Sequence, residues 1–156
     1  MTLRIPKAAL ITLGVVVLIG CGGGSAGGDA PTAREVVRHL ESEGLPVGEV
    51  KVFDEETDPN DLLGRPNGYV AKASWRNPRI EERADPGGFD VSTGGSVEVF
   101  DSEDGAARRV EYVQTLAEEA PLFGEYTFQD GSVVLRVSDR LTPDEADEYE
   151  AALGEL

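Results

Sequence analysis

The sequence predicts an α+β fold, a two-layer sandwich with three helices on a mainly antiparallel sheet of about five strands. Three observations carry this reading. Several short segments alternate apolar and polar residues, the period-two pattern of half-buried strands. Three others repeat apolar residues at helical spacing behind N-capping signals. Two alternating runs meet at Asp130-Gly131, a hairpin signal because Asp-Gly suits the positive φ angles of a two-residue type I′ turn.

The first helix is expected near residues 32–43. Thr32-x-x-Glu35 is a capping box, Val36, Val37 and Leu40 form the apolar stripe, and Gly44 with Pro46 marks the stop. Val50 and Val52 alternate with Glu49 and Lys51 as a first strand. Tyr69, Ala71, Ala73 and Trp75 alternate with Val70, Lys72, Ser74 and Arg76 as a second. Residues 77–95 hold Pro78, Pro86, Gly87, Gly88, Gly94 and Gly95, and read as an irregular connection before a third strand at Val97, Val99 and Phe100. Ser102, with Glu103 and Asp104 in the first turn, opens a second helix carrying Ala106, Val110, Val113 and Ala117 until Pro121. Tyr126 and Phe128, then Val133, Leu135 and Val137, flank the hairpin turn. Thr142-Pro143-Asp144-Glu145 combines N-cap, Pro at N1 and a capping-box Glu, with Leu141 set to staple onto Ala146 and Tyr149 and Leu153 continuing the stripe. The helices are expected to cover one face of the sheet, and a parallel crossover from strand three to strand four through the second helix stays open.

The N-terminus reads as an address. Arg4 and Lys7 precede an apolar run from Ala8 to Ile19, too short for a spanning helix, which needs about 20 residues. It closes on Leu18-Ile19-Gly20-Cys21, which resembles the lipobox of bacterial lipoproteins; an ordinary secretory signal is the alternative. The resemblance implies cleavage after residue 20, lipid on Cys21, and attachment to the cell membrane facing outward. A diacylglyceryl group supplies two acyl chains, enough for stable anchoring. The expected organisation is therefore a signal peptide at 1–20, lipidated Cys21 with a Gly/Ser tether to residue 30, and one α+β domain at 31–156. The tether also spells a nucleophile elbow and a dinucleotide fingerprint, but both require a preceding strand that this segment lacks.

Charge excludes one partner class. Two of the 14 basic residues and none of the 30 acidic ones precede Cys21, which leaves 12 against 30 afterwards. Such a balance repels phosphate backbones, so nucleic acid is not expected as a partner. One histidine and one cysteine cannot supply the usual zinc ligands, and His39 flanks the apolar stripe of the first helix as a surface or boundary residue. No cofactor is expected. Asp54 to Asp61 is rich in oxygen ligands and makes calcium the one weak possibility, although its spacing departs from an EF-hand. Thirty acids guarantee some carboxylate pair at glycosidase separation, so acid density says nothing about hydrolysis.

The long connection from Thr57 to Tyr69 is the segment most open to function, and a structural Ω-loop that packs Leu62 and Leu63 beneath itself is its competing explanation. This loop, Asp58-Pro59-Asn60 through Leu62-Leu63-Gly64-Arg65-Pro66 to Tyr69, is similar to a pattern in small actinobacterial lipoproteins of unknown function. There it leads into a strand with a Ser-Lys pair, then an Asp and an Arg; here Ala71 replaces the Ser, Lys72 and Arg79 remain, and Asn77-Pro78 stands in place of the Asp. Gly94 to Phe100 with Ala106, Arg109 and Tyr112, and Tyr126 to Arg136 with Leu141-Thr142-Pro143 and Tyr149, extend the likeness over roughly residues 33–153. The expected function is an extracytoplasmic binding or adaptor domain that engages an envelope protein or a solute. Its candidate contacts are Asp58, Asn60, Arg65, Tyr69, Lys72 and Arg79. The alternative is an envelope hydrolase assembled from scattered residues such as Asp58, Asn60 and Arg65.

Overall fold

The computed structural model describes residues 30–81, 88–120 and 124–156. The expected signal peptide and Cys21 lie outside the described residues, among which no helix is long and apolar enough to cross a membrane. Three helices, α1 (Ala33–Ser42), α2 (Glu103–Glu119) and α3 (Pro143–Leu153), accompany five strands, β1 (Val50–Val52), β2 (Ala71–Arg76), β3 (Gly94–Val99), β4 (Glu125–Asp130) and β5 (Val133–Ser138). The strands form one antiparallel sheet in the order β1-β2-β3-β5-β4. This is the expected α+β sandwich. The chain leaves β3 through α2 and reaches β4 at the sheet edge, then returns by the hairpin so that β5 fills the gap between them. β3 and β4 thus run parallel across an intervening antiparallel strand, a split form of the crossover left open by the sequence.

Both capping boxes close as written in the sequence. Thr32 accepts from the Glu35 N–H while Glu35 reaches back to the Thr32 N–H, and Thr142 and Glu145 repeat the arrangement at α3. These bonds hold the Glu35 and Glu145 carboxyls below the usual range. The hairpin turn differs from the expected one. Asp130 pairs with Val133, so the loop residues are Gly131 and Ser132, and only Gly131 has positive φ, at +50°. Positive φ at the first loop position alone is the demand of a type II′ turn, which glycine meets without steric cost. The irregular 77–95 stretch gains one 3-10 turn, Val91–Thr93, N-capped by the Asp90 side chain.

Alternation splits the sheet into two faces. Ala73, Trp75, Val97, Val99, Leu135 and Val137 share one, where α1 and α3 cover them with Val36, Val37, Leu40, Ala146, Tyr149 and Leu153. Trp75 stacks on Tyr149 with ring centroids 5.9 Å apart, and Tyr149 donates its hydroxyl to the Pro46 carbonyl while accepting from Asn77. Burial pushes that hydroxyl up to about 12. His39 Nε2 donates to the Ala152 carbonyl at 2.8 Å, joining α1 to α3. The expected one-sided, two-layer cover does not hold for the remaining helix: α2 packs on the opposite face, over β4 and β5, through Ala106 against Tyr69, Phe100 and Val134.

Candidate functional site

Period two puts Lys72, Glu98 and Arg136, from three central strands, on the face opposite the apolar core. Lys72 and Glu98 are register partners. Arg109 reaches the same face from α2: it lies three residues after Ala106 and four before Val113, hence on the helix stripe that turns to the sheet. Glu98 is completely buried and is the hub. It accepts from Arg109 Nε at 2.6 Å and Nη2 at 2.9 Å, a two-point grip, and from Arg136 Nη1 at 3.2 Å, with Lys72 Nζ 4.0 Å away. Arg136 holds Glu125 of the edge strand by a second pair of bonds, at 2.5 and 2.6 Å.

The other end of the network is the loop. Lys72 Nζ donates to Asp58 Oδ1 at 3.1 Å and to the Tyr69 hydroxyl at 3.2 Å. Tyr69 donates to the Asp58 carboxylate, 2.6 Å from Oδ2, and accepts from Asn60 Nδ2 at 3.2 Å. Asp58 also accepts the Leu62 and Leu63 N–H groups at 2.8 and 3.0 Å, which fastens the loop to its own base. Leu62 and Leu63 then pack on the Tyr69–Phe100 cluster. The turn that brings Gly68 over Leu62 admits no side chain, since a Cβ there would lie 1.9 Å from the Leu62 carbonyl oxygen. Three carboxylates (Asp58, Glu98, Glu125) and three cations (Lys72, Arg109, Arg136) therefore form one connected, charge-balanced network, each side chain no more than 15% exposed.

The balance fixes the ionisation of its members. Burial pushes the Asp58 carboxyl up, but the bonds from Tyr69, Leu62 and Lys72 outweigh it and hold the group well below the usual carboxylate range. Glu98 is lowered in the same way, burial being overcome by the Arg109 and Arg136 guanidiniums. Tyr69 is pushed far up by burial and by its bond to Asp58. Lys72 is lowered by burial, partly offset by Glu98 and Asp58.

Of the six sequence candidates, Asp58, Asn60, Tyr69 and Lys72 come together here. Arg65 and Arg79 do not. Arg65 pairs with Asp61 at the exposed loop tip, and Arg79 pairs with Glu145 of α3 at 3.2 Å, far round the molecule. Among the described residues no group of three or more His, Cys, Asp or Glu side chains could hold a metal, and the Asp54 carboxylate is already taken by Glu56 and Thr57 of its own turn. Sequence reasoning missed Glu98, Arg109, Arg136 and Glu125. The signal was available for three of them: Glu98 interrupts Val97 and Val99, Arg136 interrupts Leu135 and Val137, and Arg109 sits on an apolar helix stripe.

Above this network a groove of about 1550 Å³ runs between α2 and the sheet. Gly105, Arg108, Arg109, Tyr112, Val113 and Leu116 make one wall, at the i, i+3, i+4, i+7, i+8, i+11 spacing of a single helix face. Lys72, Ser74, Ser96 and Arg136 make the floor. Asn60, Leu62 and Tyr69 close one end, and Phe89 to Ser92 with Gly124, Asp139 and Arg140 frame the other. Compared with family models, curated proteins and solved structures, the chain matches none.

Proposed function

We propose that this chain is a lipid-anchored, outward-facing binding domain whose recognition surface is the groove on the polar face of the sheet. One observation carries the reading. Beside the stripe of α2 that buries Ala106 and Val113 against the sheet, the flank that lines the groove leaves Tyr112 55% and Leu116 41% exposed. A helix flank that borders a groove and stays half exposed is a place for another molecule, because apolar surface left beside an open cleft gains roughly 25 cal/mol per Å² when covered. Asn60, Tyr69 and Lys72 close one end of the groove, where Asp58 accepts from the Asn60 N–H, the Tyr69 hydroxyl and the Lys72 ammonium. Arg65 and Arg79 take no part in this version of the site.

The hydrolase alternative draws less from the geometry. A general base works best with a pKa near the operating pH, whereas Asp58 and Glu98 are both held below the ordinary range with their oxygens engaged. A benzophenone amino acid introduced at Tyr112 of the full chain, crosslinked in living cells, tests the binding reading. A specific adduct at Tyr112 that is absent with the same group at Glu148, exposed on α3, is expected. Identical capture at both positions would overturn it.

A further inference from the structure

We infer that the groove takes an elongated amphipathic anion, with an apolar body along α2 and a carboxylate or phosphate group held by Arg108 or Arg140. This deepens the binding-domain reading and rests on it. Shape comes first. Gly105 and Leu116 lie eleven residues apart on one wall, about 16 Å at 1.5 Å per residue, and β3 beneath spans about 20 Å. The space is therefore long, and its apolar lining of Leu62, Phe100, Tyr112, Val113 and Leu116 lies along that length.

The charges select the sign. Five of the chain's 14 basic residues line the groove among the described residues, against three of its 30 acids. Even with the buried Asp58 and Glu98 counted beneath the floor, the region is neutral in a chain of net charge −16. Lys72, Arg109 and Arg136 are spent on the network, whereas Arg108 and Arg140 line the groove without an ion pair among the described residues. Topology sets these two toward opposite ends. Arg108 is on the second turn of α2, next to the C-terminal end of β3, and Arg140 follows β5, whose C-terminal end lies beside the N-terminal end of β3. Guanidinium groups match the planar, two-oxygen geometry of carboxylate and phosphate.

A peptide fits less well. The sheet's interior main-chain groups are paired with neighbouring strands, so the floor offers side chains and no free ladder. An extended peptide lying there would bury its own N–H and C=O groups without partners. An alkyl body has no such groups to satisfy.

The test uses the full, lipidated chain in phosphatidylcholine vesicles with a hexadecanoate carrying a mid-chain diazirine, and the labelled residues are located by mass spectrometry. Label is expected on the groove wall between Arg108 and Leu116. It should be competed by tetradecanoate and dodecyl phosphate, and not by tetradecanol or inorganic phosphate. The Arg108→Gln, Arg140→Gln double variant, at two exposed positions that leave the core untouched, should cut groove labelling about tenfold, equivalent to about 1.4 kcal/mol. If tetradecanol competes equally and the double variant labels like the parent, selection for an anion is overturned while groove binding stands. If the groove stays unlabelled and the Tyr112 crosslinker captures a protein, the amphiphile is overturned and an adaptor stands in its place. If neither probe reacts there, both readings fall.

Discussion

The two faces of the sheet bury side chains by opposite means. On one, Trp75, Val97, Leu135 and Val137 meet α1 and α3, and closure needs only apolar volume of the right shape. On the other, Glu98 is as deeply buried and Lys72 and Arg136 are mostly so, but all three are held by directed bonds to Arg109, Glu125 and Asp58. Apolar packing closes around whatever fits. A charge network closes only where partners stand, and leaves open the space beside it. That is why the groove lies on the polar face, above short Ser74 and Ser96, and not on the apolar one.

The largest effects should come from breaking either face at its centre. Trp75→Ala should cost about 3–5 kcal/mol, the range for emptying a large core site. Its ring lies so close to Gly95 that a Cβ there would come within 2.3 Å. Glu98→Gln should cost a similar amount, about 3–5 kcal/mol, because it strands Arg109 and Arg136 without their shared anion. Urea unfolding at neutral pH would thus leave the two variants alike, and acid separates them. Asp58 and Glu98 have folded pKa values below their ordinary 3.8 and 4.5, so their stabilisation is present above those values and is lost as pH falls through the lower folded ones. Trp75→Ala should keep the parent's acid slope. Glu98→Gln, with one depressed carboxylate removed, should lose stability less steeply below pH 4.5 than the parent does. Equal slopes in all three proteins would mean that the network does not govern acid unfolding.

Tyr69→Phe probes the join between network and loop at smaller scale. Its ring remains in the Phe100 cluster, and only the hydroxyl that bridges Asp58, Asn60 and Lys72 is lost. A buried carboxylate deprived of one donor should cost about 1–3 kcal/mol. An unchanged urea midpoint would show that Leu62, Leu63 and Lys72 suffice to fix Asp58.

What the sequence disclosed follows the same division. Capping boxes, strand alternation and the hairpin are local, and the structure keeps all of them, with only the turn at Gly131-Ser132 shifted by one residue. The grouping of Asp58, Asn60 and Tyr69 was legible because all three belong to one loop. Glu98, Arg109 and Arg136 were harder, since each is merely a charged residue in an apolar run until β2, β3, β5 and α2 bring them into contact. The side of the sheet taken by α2 was not legible, because its stripe of Ala106, Val110 and Val113 is small enough for either face. Arg65 belongs to the same loop and Arg79 to the pattern that the loop resembles, and nothing local revealed that Asp61 holds Arg65 at the loop tip, away from Lys72, or that α3 claims Arg79.

The smallest expected effect is at that loop tip, and it sharpens the contrast with the base of the same loop. Arg65 and Asp61 are paired, but their side chains are 58% and 72% exposed. An ion pair so hydrated contributes between nothing and about 1 kcal/mol, because water already solvates both charges and two long side chains must be ordered to meet. The neighbouring backbone does not depend on it: the Arg65 N–H donates to the Leu62 carbonyl and the Arg65 carbonyl accepts from Gly68, bonds that an alanine preserves. Arg65→Ala should therefore move the urea midpoint by less than Tyr69→Phe and leave crosslinking at Tyr112 unchanged. A larger stability loss would make the loop tip part of the scaffold. Lost crosslinking with stability intact would return Arg65 to the recognition surface and extend that surface beyond the groove.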